Sequence, residues 1–361
     1  AAAIPALKPL ATIRIKNTSE LERKDEVVEV NFSALSSKVQ GKTFKVLEAE
    51  SKKEAPYQLE YKGFEEPQNL LLQIRSLKPG QEIVFEIVPG EPVKAESKTF
   101  ARYVPERKDD FAWENDRIAF RMYGKALEGT KENAFGTDIW SKRTDKLIID
   151  KWYKKGSYHT DSGEGMDYYH VGFTLGAGNI APYLQDSIYF SKNYRQYKVL
   201  DNGPLRSSFQ LGYDSWKVGN MTITATKTIS LSAGSQLNRV EINYLIQGAN
   251  ETDAVIGISK RKQPGAILLD EKNGVMGYWE PEMAGKGIMG VGVILANPAK
   301  EMSLAHEHLL SHTSIQNNKP FVYYNGGAWN RAGIINTADE WFKYLENYKY
   351  RLNTPLTKEV Y

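Results

Sequence analysis

The chain has 361 residues, 47 basic against 44 acidic, a formal net charge of +3 and no cysteine. That length holds one large β domain or two ordinary ones, the charge balance excludes a nucleic-acid footprint, and the missing thiols exclude disulfides, thiolate metal sites and cysteine nucleophiles. No apolar run reaches the roughly 18 residues of a membrane-spanning helix, and the opening Ala1-Ala2-Ala3-Ile4-Pro5-Ala6-Leu7 lacks the basic start of an intact signal peptide and reads as a processing remnant.

From Leu10 to about Phe100, short runs rich in valine, isoleucine and phenylalanine alternate with turn clusters such as Lys78-Pro79-Gly80 and Pro89-Gly90-Glu91-Pro92. Ala11 to Ile15, Val27 to Val30, Thr43 to Leu47, Tyr57 to Tyr61, Leu70 to Ile74 and Glu82 to Val88 predict the strands of an antiparallel sandwich. This region, residues 1–100, contains no histidine and no tryptophan and is assigned a structural or linking role.

Residues 101–361 carry the chemistry-bearing side chains. The block Trp113-Glu114-Asn115-Asp116-Arg117-Ile118-Ala119-Phe120-Arg121-Met122-Tyr123-Gly124 runs into a strand on which Arg121 and Tyr123 share one face, because the side-chain period is two. That face is either solvated or a ligand-facing surface, with Trp113 and Asn115 beside it. Leu147 to Asp150 predicts a further strand. The stretch from Asp150 to Pro182 is expected to form the active-site segment: its middle, Tyr158 to His170, mixes histidines, acids, tyrosines and glycines without helical periodicity. Asn202-Gly203-Pro204-Leu205 is read as a turn delivering Arg206 onto a strand, and Met221 to Ser232 alternates strictly. A glycine-rich strand is predicted at Gly287 to Leu295, and Phe321 to Tyr324 predicts another, leading into a loop with Trp329 and Arg331. Only Thr337 to Tyr350 reads as a helix, with Thr337 or Asp339 as its N-cap.

The five histidines fall into two groups, His159 with His170, and His306 with His308 and His312. Histidine serves as acid, base or metal ligand, and His306 and His308 would share a strand face. Nothing in the sequence supplies a third ligand, so no cofactor is required, although a divalent cation is left open. Asp161, Glu164 and Asp167 do not follow the calcium-loop pattern and are read as loop carboxylates or partners orienting the histidines. A serine elbow, a phosphate loop and a dinucleotide fingerprint are absent.

Aromatic side chains with arginine and asparagine suit an anionic sugar. Removing the proton beside a uronate carboxylate needs a stabilising cation or hydrogen-bond donors, a base, and an acid for the leaving oxygen. Arg121 or Arg206 is expected to hold the carboxylate. His159, Tyr169 or His170 is expected to act as base and acid, and Trp113, Asn115, Tyr123, Trp329 and Arg331 to line the sugar site. Elimination fits this inventory better than hydrolysis, which usually wants two carboxyls at a set distance.

Ile15-Lys16-Asn17, Glu22 to Val30, Trp113 to Gly124, the Tyr158-His159 to Tyr169-His170 loop and Asn202 to Arg206 resemble a family of exported Bacteroidetes proteins catalogued as a domain of unknown function, whose genes accompany polysaccharide lyases. That family is similar to an ulvan-oligosaccharide dehydratase. The resemblance implies a galactose-mutarotase-like β-super-sandwich after the first sandwich, a periplasmic or membrane-anchored setting, and loss of water from a terminal glucuronic or iduronic acid. A chain-cleaving lyase and a non-catalytic sugar-binding protein are the alternatives.

Overall fold

The computed structural model describes residues 8–361; residues 1–7, including the expected processing remnant, lie outside the described residues. The architecture is all-β, as expected, with one long helix near the C-terminus. In the first sandwich, Ala11–Lys16, Glu82–Pro89, Phe44–Glu48 and Glu54–Ala55 form one sheet, and Arg23–Asn31, Asn69–Leu77 and Tyr57–Glu60 the other. Alternation drives this arrangement: Ile13 and Ile15 are fully buried while Arg14 and Lys16 point outward, and the two inner faces enclose a core of Val30, Val46, Leu72, Phe85 and Ile87.

This sandwich is completed from the far end of the chain. Thr357–Val360 adds to the edge of Ala11–Lys16, with Ile13 opposite Val360, and Leu356 enters the same core. A simple division at residue 100 therefore corrects to a first unit that also claims the last few residues. A strand this short and polar shows its place only through its partner.

Beyond it, an eight-stranded sheet runs in the order Gln196–Asn202, Arg206–Val218, Met221–Ser232, Leu237–Gln247, Phe321–Trp329, Met289–Leu295, Val275–Trp279 and Ala266–Asp270. It faces a five-stranded sheet built on Ala177–Leu184, Glu251–Ser259 and His308–Gln316, and their shared core includes Phe209, Ile242, Ile256 and Val291. The helix Ala338–Asn353 covers the outer face of the larger sheet, and Thr337 Oγ1 accepts from the Glu340 N–H at 3.2 Å, as an N-cap should. Trp341, Leu345 and Lys349 are its buried residues. The close approach explains the glycines beneath it, since a Cβ on Gly292 would stand 2.5 Å from Leu345 Cδ2.

A fifth sheet, Phe100–Val104, Asp110–Glu114, Ala119–Met122, Asp138–Lys142 and Gly165–Met166, carries the site. Both of its faces are packed: Ile118, Phe120 and Met122 join the main core, and Ala119 joins a separate cluster with Trp140 and Trp152. The predicted two-sided alternation is observed, and the solvated reading of the Arg121 face is corrected, because a helix covers it. That helix, Ile149–Lys155, replaces the strand expected at Leu147 to Asp150. Its start carries no local side-chain cap; the Glu114 carboxylate, from a neighbouring strand, accepts the Ile148 and Ile149 N–H groups at 2.7 and 2.9 Å.

Candidate active site

Strand pairing sets Arg121 directly opposite Asp138. Arg121 Nη2 lies 2.6 Å from Asp138 Oδ2 and 2.9 Å from Asp167 Oδ2, and Nη1 lies 3.7 Å from Asp110 Oδ2. The guanidinium is 4.9 Å from the Tyr123 ring and 5.3 Å from the Trp140 ring. Burial opposes its charge, yet the surrounding carboxyls hold it protonated beyond the ordinary arginine range. Burial and the neighbouring Asp167 push the Asp138 carboxyl well up, and burial pushes Asp110 up to about 6 despite Arg121 and Arg107. Asp138 thus keeps its proton to higher pH than an ordinary aspartate.

Glu114 and Lys142 hold the roof in place. Lys142 Nζ lies 2.8 Å from Glu114 Oε2, both side chains are fully buried, and the other Glu114 oxygen caps the helix. The helix then presents Trp152 and Tyr153 to Trp140, and Tyr158 stacks on the same indole at 5.0 Å. The Tyr153 hydroxyl donates to Asp110 Oδ2 at 3.0 Å.

The loop that follows is ordered by its own carboxylates. Asp161 Oδ1 accepts from the Gly163 and Gly165 N–H groups and its carboxylate pairs with Arg143, whereas Glu164 pairs with Lys151. Asp167 orients a histidine: His159 Nδ1 lies 3.1 Å from the Asp167 carbonyl oxygen and 3.6 Å from its carboxylate. With Nδ1–H donating there, Nε2 keeps its lone pair, and the His159 side chain is 64% exposed towards the cleft. Tyr169 is buried with no partner for its hydroxyl, and the Arg261 guanidinium sits 4.7 Å from its ring. Burial pushes that phenol up, so it stays protonated. His170 is exposed at the rim, and its carbonyl accepts from Arg261 Nη1 at 2.8 Å.

These groups line a cleft of about 490 Å³, with Arg107, Arg121, Lys131 and Lys286 against Asp167 and Glu132. Four cations facing two carboxylates suit an anionic ligand. Most of the buried side-chain polar atoms without a partner, among the described residues, belong to Arg107, Asp110, Arg121, Asp138, Trp140, Tyr168 and Tyr169; the other is Asn243 Oδ1. Native folds leave few such atoms; Arg107, Arg121, Tyr168 and Tyr169 line the cleft, whereas Asp110, Asp138 and Trp140 lie behind it around the Arg121 guanidinium.

Residues 15–357 match the family model described as a domain of unknown function, DUF4861. The chain belongs to that family. It is 33% identical over 375 residues to an uncharacterized protein, P7, from Formosa agariphila, covering 96% of this chain and 93% of the relative. Two solved structures from Enterococcus faecalis share the fold, a protein in glycosyl hydrolase family 38 (TM-score 0.53) and an alpha-mannosidase (TM-score 0.51), both at 10% identity. Each match covers 98% of this chain but 48% and 46% of those proteins, so the DUF4861 chain spans about half their length.

Within this DUF4861 chain, His159, Tyr169, His170, Arg121 and Tyr123 come together in the cleft, and the other expected residues do not. Arg206 is corrected to an inter-sandwich tie, with Nη1 2.5 Å from Glu29 and 3.1 Å from Glu60. Trp113 is a core residue stacked on Phe120, its indole N–H donating to Asn238. Asn115 is fully buried and shapes a turn, donating to the Ser232 and Ser235 carbonyls. Trp329 and Arg331 act one step back, donating to the carbonyls of Lys286 and Gly285 and so fixing the loop that carries Lys286.

The second histidine group disperses. His308 is buried, its Nε2 accepting from the Leu175 N–H at 2.9 Å and its Nδ1–H donating to the His306 carbonyl at 2.6 Å. It fastens the segment after His170 to the opposite hairpin. His306 pairs with Asp186 on the surface, and His312 meets Ser303. Sequence reasoning missed Asp110, Asp138, Arg107, Lys131, Lys286 and Arg261. For Asp110 and Asp138 the local signal is a charge inside an otherwise apolar strand, whereas Arg107, Lys131, Lys286 and Arg261 lie outside the strands and carry no such signal.

Proposed function

We propose that the chain is a carbohydrate-processing enzyme that removes water from the terminal uronic acid of an oligosaccharide, leaving a 4,5-unsaturated uronyl end. The observation that carries this reading is one cation-lined cleft holding an oriented, exposed imidazole and a buried phenol that has no partner. His159, with Nδ1 committed to Asp167, takes the C5 proton on Nε2; the C5–H electrons form the C4=C5 bond as the C4–O bond breaks. Tyr169 gives its proton to the departing hydroxyl, which leaves as water, and the nearby Arg261 steadies the phenolate until it is reprotonated. The cations Arg107, Lys131 and Lys286 offset the charge that develops on the uronate carboxylate, while Arg121 keeps Asp167 and Tyr123 in position.

The three aspartates nearest the centre all face the Arg121 guanidinium and the other cleft carboxylate, Glu132, pairs with Lys108, so the cleft offers no free pair of carboxyls of the kind hydrolysis usually uses. Carbohydrate chemistry is also in keeping with the fold shared with the family 38 hydrolase and the mannosidase. The family resemblance favours ulvan-type substrates and export to the periplasm, and a chain without cysteine is indifferent to an oxidising compartment.

Incubation with ulvan-type oligosaccharides ending in saturated glucuronic or iduronic acid should raise the ultraviolet absorbance of a conjugated uronate. Mass spectrometry should show the loss of one water at unchanged chain length. Absorbance with shortened chains would instead identify a polysaccharide lyase, and binding without product a sugar-binding protein.

A further inference from the structure

The cleft does not end at His170. A second cavity, of about 730 Å³, shares His170, Val171 and Gly172 with the first, so the two are chambers of one groove. Arg261 joins them: its guanidinium lies against the Tyr169 ring of the first chamber and pairs with Glu280 at 2.5 Å in the wall of the second. One side of the second chamber carries Phe173, which is 60% exposed although its ring is packed on Phe190 at 4.8 Å, itself set edge-on to Phe135. The segment bearing Phe173 is anchored by Leu175 to buried His308. The same chamber is lined by Lys260, Lys262 and Gln263 and by the acids Glu282 and Glu307. A supported aromatic face in a chamber that also holds hydrogen-bond donors and acceptors suits a pyranose, with an apolar face and a hydroxyl edge.

We propose that this second chamber is a subsite for the sugar ring adjoining the terminal uronic acid, with Phe173 as its stacking platform. The proposal rests on the reading of the first chamber as the uronate site, and it makes the protein a reader of oligosaccharide length. Calorimetric titration would compare free glucuronic acid with a disaccharide ending in glucuronic acid, on the wild-type chain and on Phe173→Ala. The exposed position makes the variant compatible with folding.

The disaccharide should bind the wild type about tenfold more tightly than the monosaccharide, and Phe173→Ala should erase most of that gain while leaving the monosaccharide affinity unchanged. Equal affinities for the two sugars, or equal weakening of both in the variant, would overturn the subsite. A length-dependent, Phe173-dependent affinity with no elimination product would keep the subsite and overturn the dehydratase. Failure of both sugars to bind would overturn the two together.

Discussion

Arg121 and Asp138 stand opposite each other on paired strands, 2.6 Å apart at Nη2 and Oδ2, with almost no surface exposed on either. Asp167 and Asp110 close round the same guanidinium. Removing the cation leaves buried carboxyls without a counter-charge, so Arg121→Leu is expected to cost about 3–5 kcal/mol of stability. Denaturant unfolding measures this. A loss below ~1 kcal/mol would mean that the aspartates are already neutral in the fold.

His159 is mostly exposed and contributes little to packing, so His159→Ala should fold with an unchanged unfolding midpoint. Turnover on uronate oligosaccharides should fall roughly 10²–10⁴-fold, as for loss of a general base. Initial rates beside thermal melts test both halves. Turnover within a few-fold of wild type would remove His159 from the mechanism.

Tyr169→Phe separates fold from chemistry. The buried hydroxyl has no partner, so deleting it relieves a desolvation cost, and stability should hold or rise by about 1 kcal/mol. Activity should nevertheless fall at least tenfold if the hydroxyl is the proton donor. A clearly destabilised variant would instead reveal an unseen partner for that hydroxyl.

Lys227 gives the fold a distinct pH signature. Burial lowers its ammonium to about 7, and Nζ donates to Asn179 Oδ1 at 2.6 Å between the Phe135 and Tyr213 rings. The unfolded chain protonates this lysine below its ordinary value of 10.5, whereas the folded chain does so only below about 7. Stability should therefore fall as pH drops from 10.5 to about 7 and then level off, at up to ~1.4 kcal/mol per pH unit. Lys227→Met should flatten that slope and be more stable at neutral pH, because Asn179 Oδ1 still accepts from the Ile180 N–H. Urea midpoints across the range provide the measurement, and identical slopes in both proteins would show that Lys227 is solvated.

What the sequence made legible was local. Period-two alternation announced Ala11–Lys16 and Met221–Ser232, and spacings of three and four with Thr337 announced the helix Ala338–Asn353. The His159 to His170 loop stood out because it mixes histidines, acids, tyrosines and glycines without helical periodicity. The helix Ile149–Lys155 was misread as a strand because its cap, Glu114, is 34 residues away in sequence.

By itself, then, the chain determined an all-β class, the periodicity of its strands and the loop from which the candidate base comes. Those follow from side-chain alternation and backbone preference, which act between near neighbours. Tertiary structure alone decided that Arg121 is enclosed by Asp110, Asp138 and Asp167, that Arg206 ties the two sandwiches, and that His308 is a fastener. A charge taken out of water must find its counter-charge in three dimensions, and strand register brings those partners together across distances that no sequence spacing records.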